Sequence, residues 1–350
     1  MINLYTSLLS KPQALSGTVR TLCHGVTNAE NLVISNEQRV FVSGRDGVYE
    51  LLASPGGKCH QKLIPLRVEA VPGNCMKNGV ALRGNYLYLA CAHVEQGGSR
   101  LLKAALDDVN ETEQSMPGLL KLSVAALTFG ISSWIVRCDL RQTPLAFTEL
   151  VASLPGHTLA NGISFDPTGD FIYVANSAPG VSTGIFRAPV DAASPSVLEI
   201  PWSRPPGCKP NGLKVTGRTL YFTGNATPAA VFGSMAIQED GSAGEPQVID
   251  TAPLHLFDDF AIVRQGFVLA QFSDAMGLSR GSLRLVSRGG RHLAVLKHRE
   301  ISRPSALAVA SAGSELFATG DVLVVDKGTG CVVVFTPDEM WRDWLQAGPL

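Results

Sequence analysis

The chain has 350 residues, a formal net charge of −1 at pH 7, 45% hydrophobic residues and 17% charged ones. A balance this near neutrality, with no basic run, excludes the electrostatic footprint of a nucleic-acid binder, and the hydrophobic content excludes a disordered chain. With 35 glycines and 21 prolines, many turns are expected.

The opening segment, MINLYTSLLSKPQ, lacks the basic start and long apolar core of a secretory signal. The expected location is therefore cytoplasmic, with secretion left open to a chain whose leader has been lost. The first predicted strand runs from Thr18 to Cys23. After it comes a pattern that recurs down the chain and is most legible at residues 157–177, HTLANGISFDPTGDFIYVANS. There a polar residue and a glycine, Asn161-Gly162, open a short apolar strand. A turn of Asp, Pro and Gly leads into a second strand of alternating bulky residues, which together make a hairpin signal.

Copies begin at Asn78-Gly79 and Asn211-Gly212, with weaker ones at Glu30, Asp258-Asp259 and Ser305. The openings are 48, 83, 50, 47 and 47 residues apart. A period in this range with several strands per unit predicts a β-propeller. The expected fold is all-β: one six-bladed propeller domain over residues 1–350, each blade four-stranded. The long step is one repeat plus about 35 inserted residues.

Taken in order, blade one runs from Glu30 to Pro65. Blade two carries Tyr86 to His93 and then Arg100 to Ala105. An insertion follows over 107–131. Its apolar run, 119–131, is interrupted by Lys121, serines, Thr128 and Gly130. It is expected to form a short helix over one mouth of the ring rather than a membrane span, and Trp134 to Leu140 is the next strand. The tail TPDEMWRDWLQAG predicts a C-terminal helix over 337–347, with Thr336 as N-cap and Trp341, Trp344 and Leu345 on one packed face. Because an open sheet edge invites pairing with another molecule, the strand at Thr18–Cys23 is expected to close the ring against Cys331–Phe335.

Seven cysteines, with no CxxC pair, argue against zinc and against a complete disulfide framework, leaving room for one bridge. Sequons stand at Asn110 and Asn225.

In a propeller the first strand of each blade lines the channel, so Glu30, Asn78, Asn161, Asn211, Asp258 with Asp259, and Ser305 are expected to face a shared axis. All are oxygen donors. Carboxylates and amide carbonyls without thiolates suit a hard cation, and a mix of acidic and neutral oxygens suits calcium better than magnesium.

These motifs, spread from about residue 26 to 336, resemble the six-bladed propellers of the SMP-30/gluconolactonase, paraoxonase and diisopropylfluorophosphatase type, with strictosidine synthase as a relative. The pattern is most similar to that of the paraoxonases: a Glu in Ala29-Glu30-Asn31-Leu32, asparagines in Ala160-Asn161-Gly162 and Pro210-Asn211-Gly212, and an acidic pair at Asp258-Asp259. The resemblance implies that Glu30, Asn161, Asn211 and Asp258 ligate a catalytic calcium, with Asp259 a further candidate. It also implies a histidine pair on blade two, of which this chain has His93; Asn78 replaces the other, as a substrate-orienting amide or an extra ligand.

Three functions follow as expectations. The first is a calcium-dependent hydrolase of a lactone or related ester, in which His93 or Asp259 activates water. The second is a biosynthetic cyclase or synthase that holds a reactive apolar intermediate, as strictosidine synthase illustrates. The third is a non-catalytic scaffold. A small, apolar molecule is the expected ligand of either enzyme. His157 and His255 precede channel strands and are candidates for the mouth.

Overall fold

A computed structural model describes residues 12–54, 57–94, 130–154, 156–178, 183–226, 229–274, 279–346 and 348. The repeated alternation of bulky residues folds into six antiparallel sheets that follow one another along the chain. Two strands precede them, β1 (Gln13–Ala14) and β2 (Gly17–Cys23). Blade one is β3 (Leu32–Ile34), β4 (Val40–Gly44), β5 (Gly47–Ala53) and β6 (Cys59–Pro65). Blade two is β7 (Met76–Arg83), β8 (Tyr86–Val94), β9 (Ile131–Asp139) and β10 (Glu149–Leu154), and blade three is β11 (Ala160–Phe165), β12 (Phe171–Asn176) and β13 (Gly184–Pro189). The short β14 (Ser196–Val197) crosses from blade three to pair in parallel with β10.

Blade four is β15 (Lys209–Thr216), β16 (Thr219–Ala226), β17 (Ala229–Ala236) and β18 (Gln247–Pro253). Blade five is β19 (His255–Val263), β20 (Gly266–Asp274), β21 (Ser282–Ser287) and β22 (His292–Leu296), with β1 added in parallel at its outer edge. Blade six is β23 (Pro304–Val309), β24 (Val322–Asp326) and β25 (Cys331–Pro337), completed by β2. The six first strands stand beside one another in sequence, and β23 meets β3, so the ring is closed.

Closure is achieved as the sequence predicts. The strand β2 lies antiparallel to β25, with Val19 opposite Phe335 and Thr21 opposite Val333. Two disulfides are present rather than one. Cys23–Cys59 ties the outermost strand of blade six to that of blade one, and Cys75–Cys91 fastens the entry of blade two to its second strand. The other three cysteines are buried thiols.

Uniform four-stranded blades are not found: the blades have from three to five strands. Blade three lacks its own outer strand because the segment after β13 is broken by Pro195, Pro201, Pro205 and Pro206, and proline cannot donate to a ladder. Its one strand-forming pair, Ser196–Val197, is captured by blade two. Among the described residues the one helix is α1 (Glu339–Leu345). The expected strand at Arg100–Ala105 and nearly all of the expected helical insertion over 107–131 lie outside the described residues. Where the insertion's last residue, Ile131, is described, it begins β9. The third described strand of blade two is β9, which pairs directly with β8, His93 opposite Ser132. No helix among the described residues is long and apolar enough to cross a membrane.

The helix begins two residues later than its sequence suggests. Asp338, not Thr336, occupies the N-cap position, because Thr336 belongs to β25 and donates its hydroxyl to Asp321 at 2.7 Å. Trp341 and Leu345 are buried against Val263, Val268 and Phe335 of blades five and six, with Trp344 partly buried beside them, which is the packed face expected of the tail.

At the seam of blades four and five, Arg284 pairs with Asp250 at 2.9 Å, and burial and the nearby Arg284 charge push the His292 imidazole down to about 4. An unfolded chain takes up that proton near pH 6.5 while the folded one refuses it until about 4. Stability is therefore fully present above pH 6.5 and lost on acidification through that window. Discounted for partial solvent screening, the loss attributable to this group is about 1–2 kcal/mol. Asp250, held above its ordinary range by burial, works in the opposite sense. Urea midpoints at pH 7 and 4.5 should converge in His292→Gln relative to wild type; an unchanged difference would refute the assignment.

Candidate functional site

The polar pairs do not open the inner strands; they form bulges inside them. Register breaks between Lys77 and Val80, Ala160 and Ile163, Pro210 and Leu213, and Phe257 and Phe260. It breaks again between Pro304 and Ala306. Asn78-Gly79, Asn161-Gly162, Asn211-Gly212, Asp258-Asp259 and Ser305 are thus each at the irregularity of their strand, where an unpaired residue re-aims a side chain.

Glycine follows asparagine because the next blade is too close for anything larger. A Cβ on Gly79 would sit 2.1 Å from the Asn161 carbonyl oxygen, one on Gly162 2.4 Å from that of Asn211, and one on Gly212 2.5 Å from Asp259 Oδ1. Hydroxyls on second strands stitch the same level together. Ser43 accepts from the Asn31 backbone N–H at 3.0 Å and donates to the Asn78 backbone carbonyl at 2.7 Å. Thr223 likewise accepts from Gly212 N–H at 2.8 Å and donates to the Asp258 carbonyl.

Around this level the structure assembles a charge network. Glu30, just ahead of β3, pairs through Oε2 with Lys327 Nζ at 2.5 Å, both side chains about one-tenth exposed. Asp259 receives Lys214 Nζ on both oxygens, at 2.9 and 2.8 Å, and the Asn31 amide donates to its Oδ2 at 3.4 Å. Burial first, and then the charge of Glu30, push the Asp258 carboxyl well above the ordinary carboxylate range; Lys327 and a hydrogen bond from the Asn211 side chain oppose this, and Asp259 adds to it. Two amide oxygens, Asn31 Oδ1 and Asn211 Oδ1, are buried without a hydrogen-bond partner.

Of the predicted site residues, Glu30, Asn211, Asp258 and Asp259 are brought together. Asn78 is buried at the same level, but its amide is spent on the Ala160 carbonyl at 2.7 Å. Asn161 is buried in the bulge of β11. His93 lies at the same end of blade two, one strand out from the channel. His157 holds a left-handed backbone (φ 57) in the loop before β11, and His255 begins β19, with its Nδ1 3.3 Å from Gln271.

Sequence reasoning missed Lys214, Lys327 and Asn31. The available signal was a lysine placed three residues after an axial asparagine, and another directly after the wholly buried strand β24, whose last residue is Asp326.

Calcium needs six to eight oxygens and, for charge balance, two or three carboxylates. Here one carboxylate is matched by Lys327 and one by Lys214. As the side chains stand, the set does not fit calcium. Among the described residues no group of three or more His, Cys, Asp or Glu side chains is placed to hold a metal ion.

No protein-family model and no curated protein matches the chain. The likeness is to solved propellers. A candidate gluconolactonase is 13% identical with a TM-score of 0.58, covering 93% of this chain and 94% of its own. A candidate oxidoreductase (glucose dehydrogenase) of Thermus thermophilus is 12% identical at 0.56, covering 92% and 100%. The PQQ-bound aldose sugar dehydrogenase of Streptomyces coelicolor is 14% identical at 0.56, covering 93% and 99%. At such identities the fold alone is shared. One ring carries several chemistries, so function has to be argued from the site.

Proposed function

We propose that this protein is an enzyme acting on a small, uncharged and largely apolar organic molecule at the bulge-lined end of its channel. Its chemistry is proton donation and acceptance without a metal, and the reaction is bond formation of the cyclase or synthase kind, with no net addition of water. The observation that carries this reading is the matching of axial charges, Lys327 to Glu30 at 2.5 Å and Lys214 to both oxygens of Asp259. A site whose ions are internally paired offers little attraction to an ionic ligand. A buried carboxyl held toward neutrality can donate a proton at neutral pH where an exposed one cannot. On this reading Asp258 is the donor, Asn211 and Asn78 fix geometry, and His93 is the candidate acceptor.

Lactone or ester hydrolysis is the second reading. It is favoured by the donor-less oxygens of Asn31 and Asn211, which beside carboxylates would suit a cation that had displaced Lys327. Mass spectrometry of products from lactone and polyene panels separates the two. Mass-neutral conversion that falls by about 10²-fold in Asp258→Asn is the expected result. Gain of one water, with about one calcium per chain, would establish the second reading. Turnover indifferent to both Asp258→Asn and Glu30→Gln would overturn both.

A further inference from the structure

We infer that Lys327 is the resident cation of the axial site, standing where a divalent ion would have to bind, so that removing this one side chain converts the site into a metal-binding one. Lys327 lies in the turn after β24 of blade six, and its Nζ reaches Glu30 of blade one at 2.5 Å. It is also among the charges felt by Asp258 of blade five. One ammonium therefore pairs with a carboxylate of blade one across the closure of the ring, and its charge is felt by a second carboxylate, on blade five. Only 8% of the residue is exposed, which makes it a built part of the interior and not a surface lysine that has folded inward.

The surrounding donors make the lysine's removal informative. Without Lys327, Glu30 loses its ion pair and Asp258 loses an opposing charge. Asn211, on β15 beside β19, presents an amide oxygen that has no donor. Carboxylate and amide oxygens in this mixture are the ligands a hard cation selects. The other lysine does not fill the gap, because its ammonium is held by both oxygens of Asp259. A buried pair broken on one side leaves an uncompensated charge, which a cation from solution relieves.

The inference concerns the same network as the proposed chemistry, but its test reads metal and stability, so its failure is distinguishable from failure of that reading. Metal content and melting temperature are measured for wild type, Lys327→Met and Lys327→Arg, with and without calcium chloride. Wild type and Lys327→Arg are expected to hold no metal and to melt unchanged in calcium. Lys327→Met is expected to melt lower and to regain roughly 4 °C at calcium one hundred times its dissociation constant. Should Lys327→Met fail to fold, Lys327→Met with Glu30→Gln removes both charges, and it is expected to fold and ignore calcium. Calcium retained by wild type would overturn the inference. So would a calcium response equal in wild type and Lys327→Met, or none in either.

Discussion

Gly162→Ala is expected to cost about 3 kcal/mol or more, the upper end of what overpacking exacts, and to take the axial site with it. The added Cβ would lie 2.4 Å from the Asn211 carbonyl oxygen, 2.7 Å from the Leu213 nitrogen and 2.8 Å from the Gly212 Cα. All three are backbone atoms of β15, so no rotamer change relieves the contact. The relief available is for β15 to retreat from β11, and β15 carries both Asn211, one of the axial amides, and Lys214, which holds Asp259. Stability and activity should therefore fall together. Gly289→Ala is the control, since its Cβ would meet nothing within 4 Å, and its effect should stay within about 0.5 kcal/mol. Urea midpoints decide the matter: if the two variants are equally stable, the packing account of the Asn-Gly repeat is wrong.

That account also explains why the fold was legible. The Asn-Gly pairs recur because three successive inner strands press glycine against the next blade, at Gly79, Gly162 and Gly212, so the close approach writes itself into the sequence at the blade period. In blade five Asp259 takes the place of glycine, and blades one and six have Asn31 and Ala306 there, which is why those copies look weaker. The number of strands per blade was not legible. It depends on two-residue strands, Gln13–Ala14 and Ser196–Val197, that join distant edges and have no local period to read. The axial carboxylates were visible as polar residues at a fixed register. The lysines that answer them were not: Lys214 alternates along β15 as a solvated residue would, and Lys327 sits in an Asp-Lys-Gly turn. What makes either a site residue is a carboxylate on another blade, and no spacing along the chain encodes it. The pairing of Cys23 with Cys59 was hidden for the same reason, since ring closure brings β2 beside blade one.

Lys214→Met should destabilise the protein by about 3–5 kcal/mol, the cost of stranding a buried charge. Asp259 is 1% exposed, and apart from Lys214 its contact is the longer hydrogen bond from Asn31. Methionine keeps the packing of the lysine stem beside the Phe260 ring, whose centroid lies 5.7 Å from Nζ, and so isolates the charge. Asp259→Asn alone should cost less, because Lys214 is about a quarter exposed and can turn toward water. Combining the two leaves no ion at this pair of positions, and most of the loss in Lys214→Met should be recovered. Additive losses in this double-mutant cycle would mean that the pair is not coupled. The same variants bear on function. Asp259 has both oxygens committed to Lys214 and packs against Gly212, so on the proposed reading it serves as an anchor between blades four and five. The stability-restored double variant should then retain turnover that Asp258→Asn loses. If its turnover falls as far as that of Asp258→Asn, the proton acceptor is Asp259, and the division of labour between the two adjacent carboxylates has to be reversed.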